Sequence, residues 1–153
     1  EKLFLKPAHR LPKKKFLLGG AQYPADFPWN ENVWFVRHVP PRDHPAFYCS
    51  SRATLNVTRA AMANVGYCPS GRLFEAAACE TPIVSDSWEG LDSFFEPDRE
   101  LLIAESDDDV VGALSRSQEE LQRVGKAARE RVLACHTAEH RSRELISALE
   151  AAA

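Results

Sequence analysis

The sequence predicts an α/β fold with a largely parallel sheet, and three observations lead there. Short apolar runs rich in β-branched and aromatic residues recur along the chain. Segments with helical periodicity stand between and after them. Clusters of glycine and proline mark the boundaries. At 153 residues the chain fits one domain, and 44% hydrophobic with 27% charged residues excludes bulk disorder.

Residues 1–15, with Pro7 and Pro12, read as a lead-in from an upstream segment; the only methionine is Met62, so Glu1 is not a translation start. The domain is expected over 16–153. Phe16-Leu17-Leu18 is a buried strand stopped by Gly19-Gly20, and residues 23–31, with Pro24, Pro28 and Asn30, are loop. Asn32 to Val39 reads as a second strand, ended by Pro40-Pro41. A short helix follows from Asp43 or His44 to Ser50, with Pro45 in its first turn. Ala53 to Thr58 is a third strand. A helix from Gly71 to Cys79 is expected to be capped by Ser70. Strands at Pro82–Ser85 and Glu100–Ala104 come next. Residues 107–116, 118–135 and 137–151 close the chain as helices, with Leu121, Val124, Ala128 and Val132 on one face of the middle one.

The net charge of −3 gives no electrostatic footprint for nucleic acid, and Lys13-Lys14-Lys15 reads as a solvated run leading into a strand. No apolar run approaches the ~18 residues of a membrane span, and no signal-peptide pattern opens the chain. Cys49, Cys68, Cys79 and Cys135 lie in or beside apolar runs without a C-x-x-C, which suggests reduced, buried thiols in a cytoplasmic protein.

In parallel sheets, ligands bind beyond the carboxyl ends of the strands. That directs attention to Tyr67-Cys68-Pro69-Ser70-Gly71-Arg72-Leu73-Phe74-Glu75. Gly71 lets a backbone approach a ligand closely, and the helix start with Arg72 suits phosphate oxygens. Glu75, one turn further, can accept both hydroxyls of a vicinal diol such as ribose. An ordinary capped helix with solvated Arg and Glu has the same spacing. Arg59, at a strand's end, is a further candidate to face a diphosphate, with a surface charge as its rival.

Ser70 through Asp86, then Glu89-Gly90-Leu91, Phe94-Phe95-Glu96-Pro97 and Glu100, form an ordered array that resembles group 1 glycosyltransferases. With His136-Thr137-Ala138-Glu139-His140-Arg141 before the last helix, it is most similar to the spore-maturation-type branch. The resemblance implies the GT-B architecture, two Rossmann-like halves facing across a cleft. This chain would be the carboxyl-terminal half, a three-layer domain that holds a nucleotide-sugar donor, with the N-terminal half as its partner. It implies Glu75 on the donor ribose, Ser70, Gly71 and Arg72 on phosphate or sugar, and Gly90 and Leu91 near the diphosphate. Val39 and its neighbours would lie along the base. Two positions depart from the pattern. Tyr67 stands where related retaining enzymes carry a glutamate, so no catalytic residue is assigned within this chain. Glu80 stands where the family usually has glycine.

Rival motifs are better explained by local structure. His136-x-x-Glu139-His140 fits a zinc pattern, but Thr137 also reads as a helix cap. Asp107-Asp108-Asp109 contains a D-x-D, yet it opens an amphipathic helix where acids favour the dipole. No metal or other cofactor is expected. His9, His38 and His44 are scattered, and none stands out as catalytic. Trp34 alternates into a strand as core, and Trp88 is a candidate to line the cleft. The expected function is donor binding for sugar transfer to an acceptor hydroxyl, the chain alone being inactive. A non-catalytic nucleotide- or phosphate-binding module, or a protein-interaction domain, is the alternative.

Overall fold

Strands and helices are interspersed along the chain, and three helices close it. In a computed structural model that describes residues 2–21, 23–24 and 26–152, the chain opens with α1 (Leu5–Arg10), β1 (Phe16–Gly19) and β2 (Val33–Val36). There follow α2 (His44–Cys49), β3 (Thr54–Asn56), α3 (Ala60–Val65), α4 (Gly71–Ala78), β4 (Ile83–Ser85) and β5 (Leu102–Ile103). Three helices end it: α5 (Asp107–Ser115), α6 (Gln118–Cys135) and α7 (Ala138–Ala151).

All pairings between these strands are parallel, in two groups. Phe16 to Gly19 of β1 run beside Val33 to Val36 of β2. In the other group β4 lies between β3 and β5, with Thr54 opposite Ile83 and Val84 opposite Leu102. Successive residues of β4 point to opposite faces, and all three are buried. Val84 packs with Phe16, Leu102, Val110 and Leu121 on one side. Ile83 packs with Leu73, Ala76, Phe95 and Leu101 on the other. Apolar layers on both faces make the domain three-layered.

Residues 2–15 carry α1 and pack on the rest of the domain. Leu3 and Ala8 enter the core, and Arg10 reaches Asp107 and Asp108 at 2.6 and 2.7 Å, fastening α1 to the start of α5. That pairing holds the Asp107 carboxyl below its ordinary range. The second strand stops at Val36, short of Val39, because β1 ends at Gly19 and leaves no partner beyond. Among the described residues β2 pairs with β1 alone, which leaves Trp34 58% exposed instead of core, with the Lys15 ammonium 5.5 Å over its ring. Trp88 is 8% exposed and joins the core around Leu91, so it does not line a cleft. The cysteines are not buried either: Cys49 is exposed and the other three are partly so. The six-residue α3 was not expected from the sequence.

The C-terminal helices are set by their caps. Ser106 and Asp109 form a reciprocal capping box at α5, and Ser117 and Glu120 form another at α6. Thr137 accepts from the His140 amide at α7. The end of α4 is a Schellman turn: Thr81 N donates to Ala76 O (3.0 Å) and Glu80 N to Ala77 O (2.9 Å). Glu80 takes the left-handed position, φ +58°, that glycine normally fills. Over this turn lies α6, whose Leu121, Val124, Gly125, Ala128 and Val132 are buried. A Cβ at Gly125 would stand 2.3 Å from Glu80 O.

Two substitutions test this joint. Gly125→Ala forces helix and turn apart and is expected to destabilise the fold by about 1–3 kcal/mol. Glu80→Gly relieves the left-handed strain and is expected to add up to about 1 kcal/mol. Urea unfolding of both variants measures the two signs; a neutral Gly125→Ala would refute the close approach.

Candidate functional site

The site begins with α4, which presents Arg72 and Glu75 to solvent while Leu73, Ala76 and Ala77 anchor its other face. Ser70 holds the N-cap position, φ −70° and ψ 138°, but its side chain makes no cap bond. The expected Ser70 cap is therefore absent, and the first-turn amides are not occupied by that hydroxyl. Gly71 has no folding reason to be glycine: a Cβ there would meet nothing within 4 Å.

Glu75 is the centre of a cluster. Its Oε2 lies 3.1 Å from His44 Nδ1 and accepts from the Tyr48 hydroxyl at 3.3 Å. Nothing among the described residues donates to Oε1, and the side chain is 48% exposed. His44 and Tyr48 are one turn apart on α2, so both rings face α4 from one side. The other ring nitrogen of His44, Nε2, lies 3.1 Å from Val39 O. Val39 and Glu75 are thus joined through one imidazole. Burial, and then the Glu75 carboxylate, push the Tyr48 phenol up to about 12.

A second group forms where the loop into α4 meets the loop after β4. Tyr67 N donates to Glu89 O at 2.7 Å, and the Tyr67 ring lies against Gly90, where a Cβ would come within 2.4 Å of it. Gly66, Tyr67 and Gly90 all have positive φ (69°, 48° and 89°). Leu91 is 3% exposed and packs in the core, and its N–H is spent on Trp88 O. Arg59, the N-cap of α3, is exposed. Its approach is fixed by the preceding Thr58, whose amide and hydroxyl both donate to the Asp86 carboxylate at 2.8 Å.

Val57, Asp86, Ser87, Ala104 and Glu105, just past β3, β4 and β5, line a crevice of about 450 Å³. This is where a parallel sheet receives ligands, yet none of the sequence-predicted site residues lines it. Sequence reasoning missed His44 and Tyr48 as partners of Glu75; their spacing of four on a short helix was the available signal. The rival motifs have structural employment. His136 Nε2 lies 3.0 Å from Phe94 O, Thr137 pairs with His140, and Asp109 serves the Ser106 box. Burial pushes the His136 imidazole below its ordinary value.

The sequence profile of the glycosyl transferase-like family matches residues 1–147. The chain belongs to that family. No curated protein matches this glycosyl transferase-like chain in sequence. Sucrose-phosphate synthase from Thermosynechococcus elongatus superposes with a TM-score of 0.75 at 20% identity, over 97% of this chain and 41% of that one. AviGT4, a glycosyltransferase involved in avilamycin A biosynthesis, gives 0.55 at 16% identity, over 78% and 40%. The likeness is one of fold, that of a GT-B glycosyltransferase domain, and the chain spans about two-fifths of either structure. Among the described residues no helix is long and apolar enough to cross a membrane.

The Tyr48 phenol gives this cluster a spectroscopic handle. An absorbance titration is expected to show one tyrosine ionising near 12, and Tyr48→Phe should remove that step. Because the folded value lies above the ordinary 10.0, its contribution to stability is complete below pH 10 and is lost as pH rises through 12. Loss of a step near 10 instead of one near 12 in the variant would mean that Tyr48 is not held in this buried position beside Glu75.

Proposed function

We propose that this chain is the donor-binding half of a sugar-nucleotide-dependent glycosyltransferase, transferring a sugar to an acceptor hydroxyl with a nucleoside diphosphate leaving. Glu75 carries the reading. One of its oxygens is held by His44 and Tyr48, and the other, Oε1, is available to the hydroxyls of a ribose. The oriented carboxylate stands one turn inside a helix whose start has no side-chain cap and whose glycine is unexplained by packing.

In this reading Val39 and its neighbours lie along the base, and Ser70, Gly71 and Arg72 hold phosphate. The Gly90–Leu91 turn and Arg59 approach the diphosphate from the other side. Helix-start amides and Arg72 stabilise the charge that develops as the diphosphate leaves, without a metal or other cofactor. Leu91 contributes only through the backbone turn, since its side chain is buried. The acceptor side, including the base that activates the hydroxyl, belongs to the partnering N-terminal half. Within the family we assign the chain to the spore-maturation-type branch, on the His136–Arg141 segment before α7. Four free thiols support a cytoplasmic setting.

A second reading, a nucleotide-binding module without transfer, draws on Tyr67. Its ring lies against Gly90, at the position where related retaining enzymes carry an acid. Turnover separates the two.

Calorimetric titration tests the ribose contact. A ribonucleoside diphosphate should bind more tightly than its 2′-deoxy counterpart, and Glu75→Ala should weaken it by about 1–3 kcal/mol, erasing the difference. Gly71→Ala should leave stability unchanged or slightly raised and still weaken the nucleotide. Binding should survive a chelator. Equal affinity of both nucleotides for both proteins would sink the assignment of Glu75.

The chain alone should bind donor without acceptor-dependent transfer. Orientation of donor against acceptor supplies about 7–11 kcal/mol of such a barrier, and one half of a cleft cannot provide it. Turnover of a labelled nucleotide sugar is expected only with the upstream half added back. Acceptor-dependent transfer by the 153 residues at about 1 per second would place the machinery here instead.

A further inference from the structure

The helices that carry the Glu75 cluster also bring two cysteines together. Cys49 is the last residue of α2 and is exposed; Cys79 is the C-cap of α4 and is partly exposed. Cys49 Sγ lies 3.7 Å from Cys79 O, within the reach of a sulfur hydrogen bond. Burial raises the Cys79 thiol above its ordinary value, and the neighbouring Cys49 thiol adds to that rise. The other two cysteines sit elsewhere: Cys68 in the loop before α4, and Cys135 at the end of α6.

We propose that Cys49 and Cys79 form a dithiol site that low-molecular-weight disulfides, oxidised glutathione among them, convert to an intramolecular disulfide clasping α2 to α4. The first step falls to the more accessible sulfur. The Cys49 thiolate attacks one sulfur of the small disulfide, whose S–S bond breaks, and one small thiolate leaves with the electron pair and takes up a proton. The Cys79 thiolate then attacks the Cys49 sulfur of the mixed disulfide. The second S–S bond forms as the remaining small thiolate leaves and is protonated. The protein loses two electrons and two protons, and the small disulfide becomes two thiols. The effective concentration of neighbouring thiols favours this closure over a bond between two chains.

The clasp acts on the helices that face each other across Glu75. With Cys49 tied to Cys79, α2 cannot move away from α4, and His44 and Tyr48 stay against the carboxylate. The inference does not rest on the nucleotide reading, because its readout is covalent.

The reduced protein, incubated in glutathione buffers of increasing oxidation and then alkylated, gives the test by intact mass and peptide mapping. Two alkylation sites per chain should be lost together, independently of protein concentration, with a cross-linked peptide pair joining Cys49 to Cys79. The bond closes a loop of about 30 residues, so Tm should rise by about 5–10 °C. In Cys49→Ser and Cys79→Ser the remaining thiol should stop at a glutathione adduct, with no rise in Tm. Persistent adducts on both cysteines of the unsubstituted chain would overturn the proposal. So would a cross-link through Cys68 or Cys135, or one formed only between chains.

Discussion

The close approach of α6 to the turn between α4 and β4 is the contact on which the rest of the domain depends. Gly125 lets the helix axis come so near that its Cα hydrogens, not a side chain, face the Glu80 carbonyl. On either side of that point Leu121 and Val124 enter one core layer, and Ala128 and Val132 enter the other. Burial of each large aliphatic side chain stabilises by about 1.5–3 kcal/mol, so one helix seals both layers. The Schellman turn beneath it fixes where α4 ends and β4 begins. The same joint therefore sets the orientation of the exposed face of α4.

Charge reinforces this arrangement where burial alone would leave ends loose. Glu100, with its side chain 9% exposed, accepts from Arg131 at 3.0 Å and from the Glu96 amide at 2.7 Å. A carboxylate so nearly removed from water needs both partners. The pair fastens the entry to β5 onto α6, much as Arg10 fastens α1 to α5. Arg129 reaches Glu80 at 3.6 Å, adding a weak exposed attraction at the strained turn.

The candidate site gathers what the core does not use. The positive-φ positions Gly66, Tyr67 and Gly90 fall in two loops that touch each other, and Asp86 pins the loop that ends in Arg59. Of the three only Tyr67 is not glycine, and a left-handed backbone at such a residue persists only where its surroundings fix it. The glutamate at the centre is oriented through one oxygen by a histidine and a tyrosine from a different helix. Preorganisation of that sort lowers the cost of ordering a ligand. The left-handed Tyr67 is held by its amide bond to Glu89 and by the flat surface of Gly90.

The sequence by itself determined the elements whose signals are local. The buried stripe of α6, the threonine cap of α7, the apolar β4 and the glycine-stopped β1 all follow from spacing within one turn or one strand. That Glu80 stands at a position usually glycine was legible only through the family resemblance, and the structure supplied its left-handed backbone. Its array of residues also carried the family. Tertiary structure decided the rest, because periodicity reports which face is apolar and not what covers it. Trp34 and Trp88 exchanged their expected places, since among the described residues β2 pairs with β1 alone while the β4 loop folds inward. The first helix exists because Leu3 and Ala8 find the core and Arg10 finds Asp107, contacts nearly a hundred positions apart. The meeting of Val39, His44, Tyr48 and Glu75 likewise needed α2 to pack on α4, and no local rule encodes that packing.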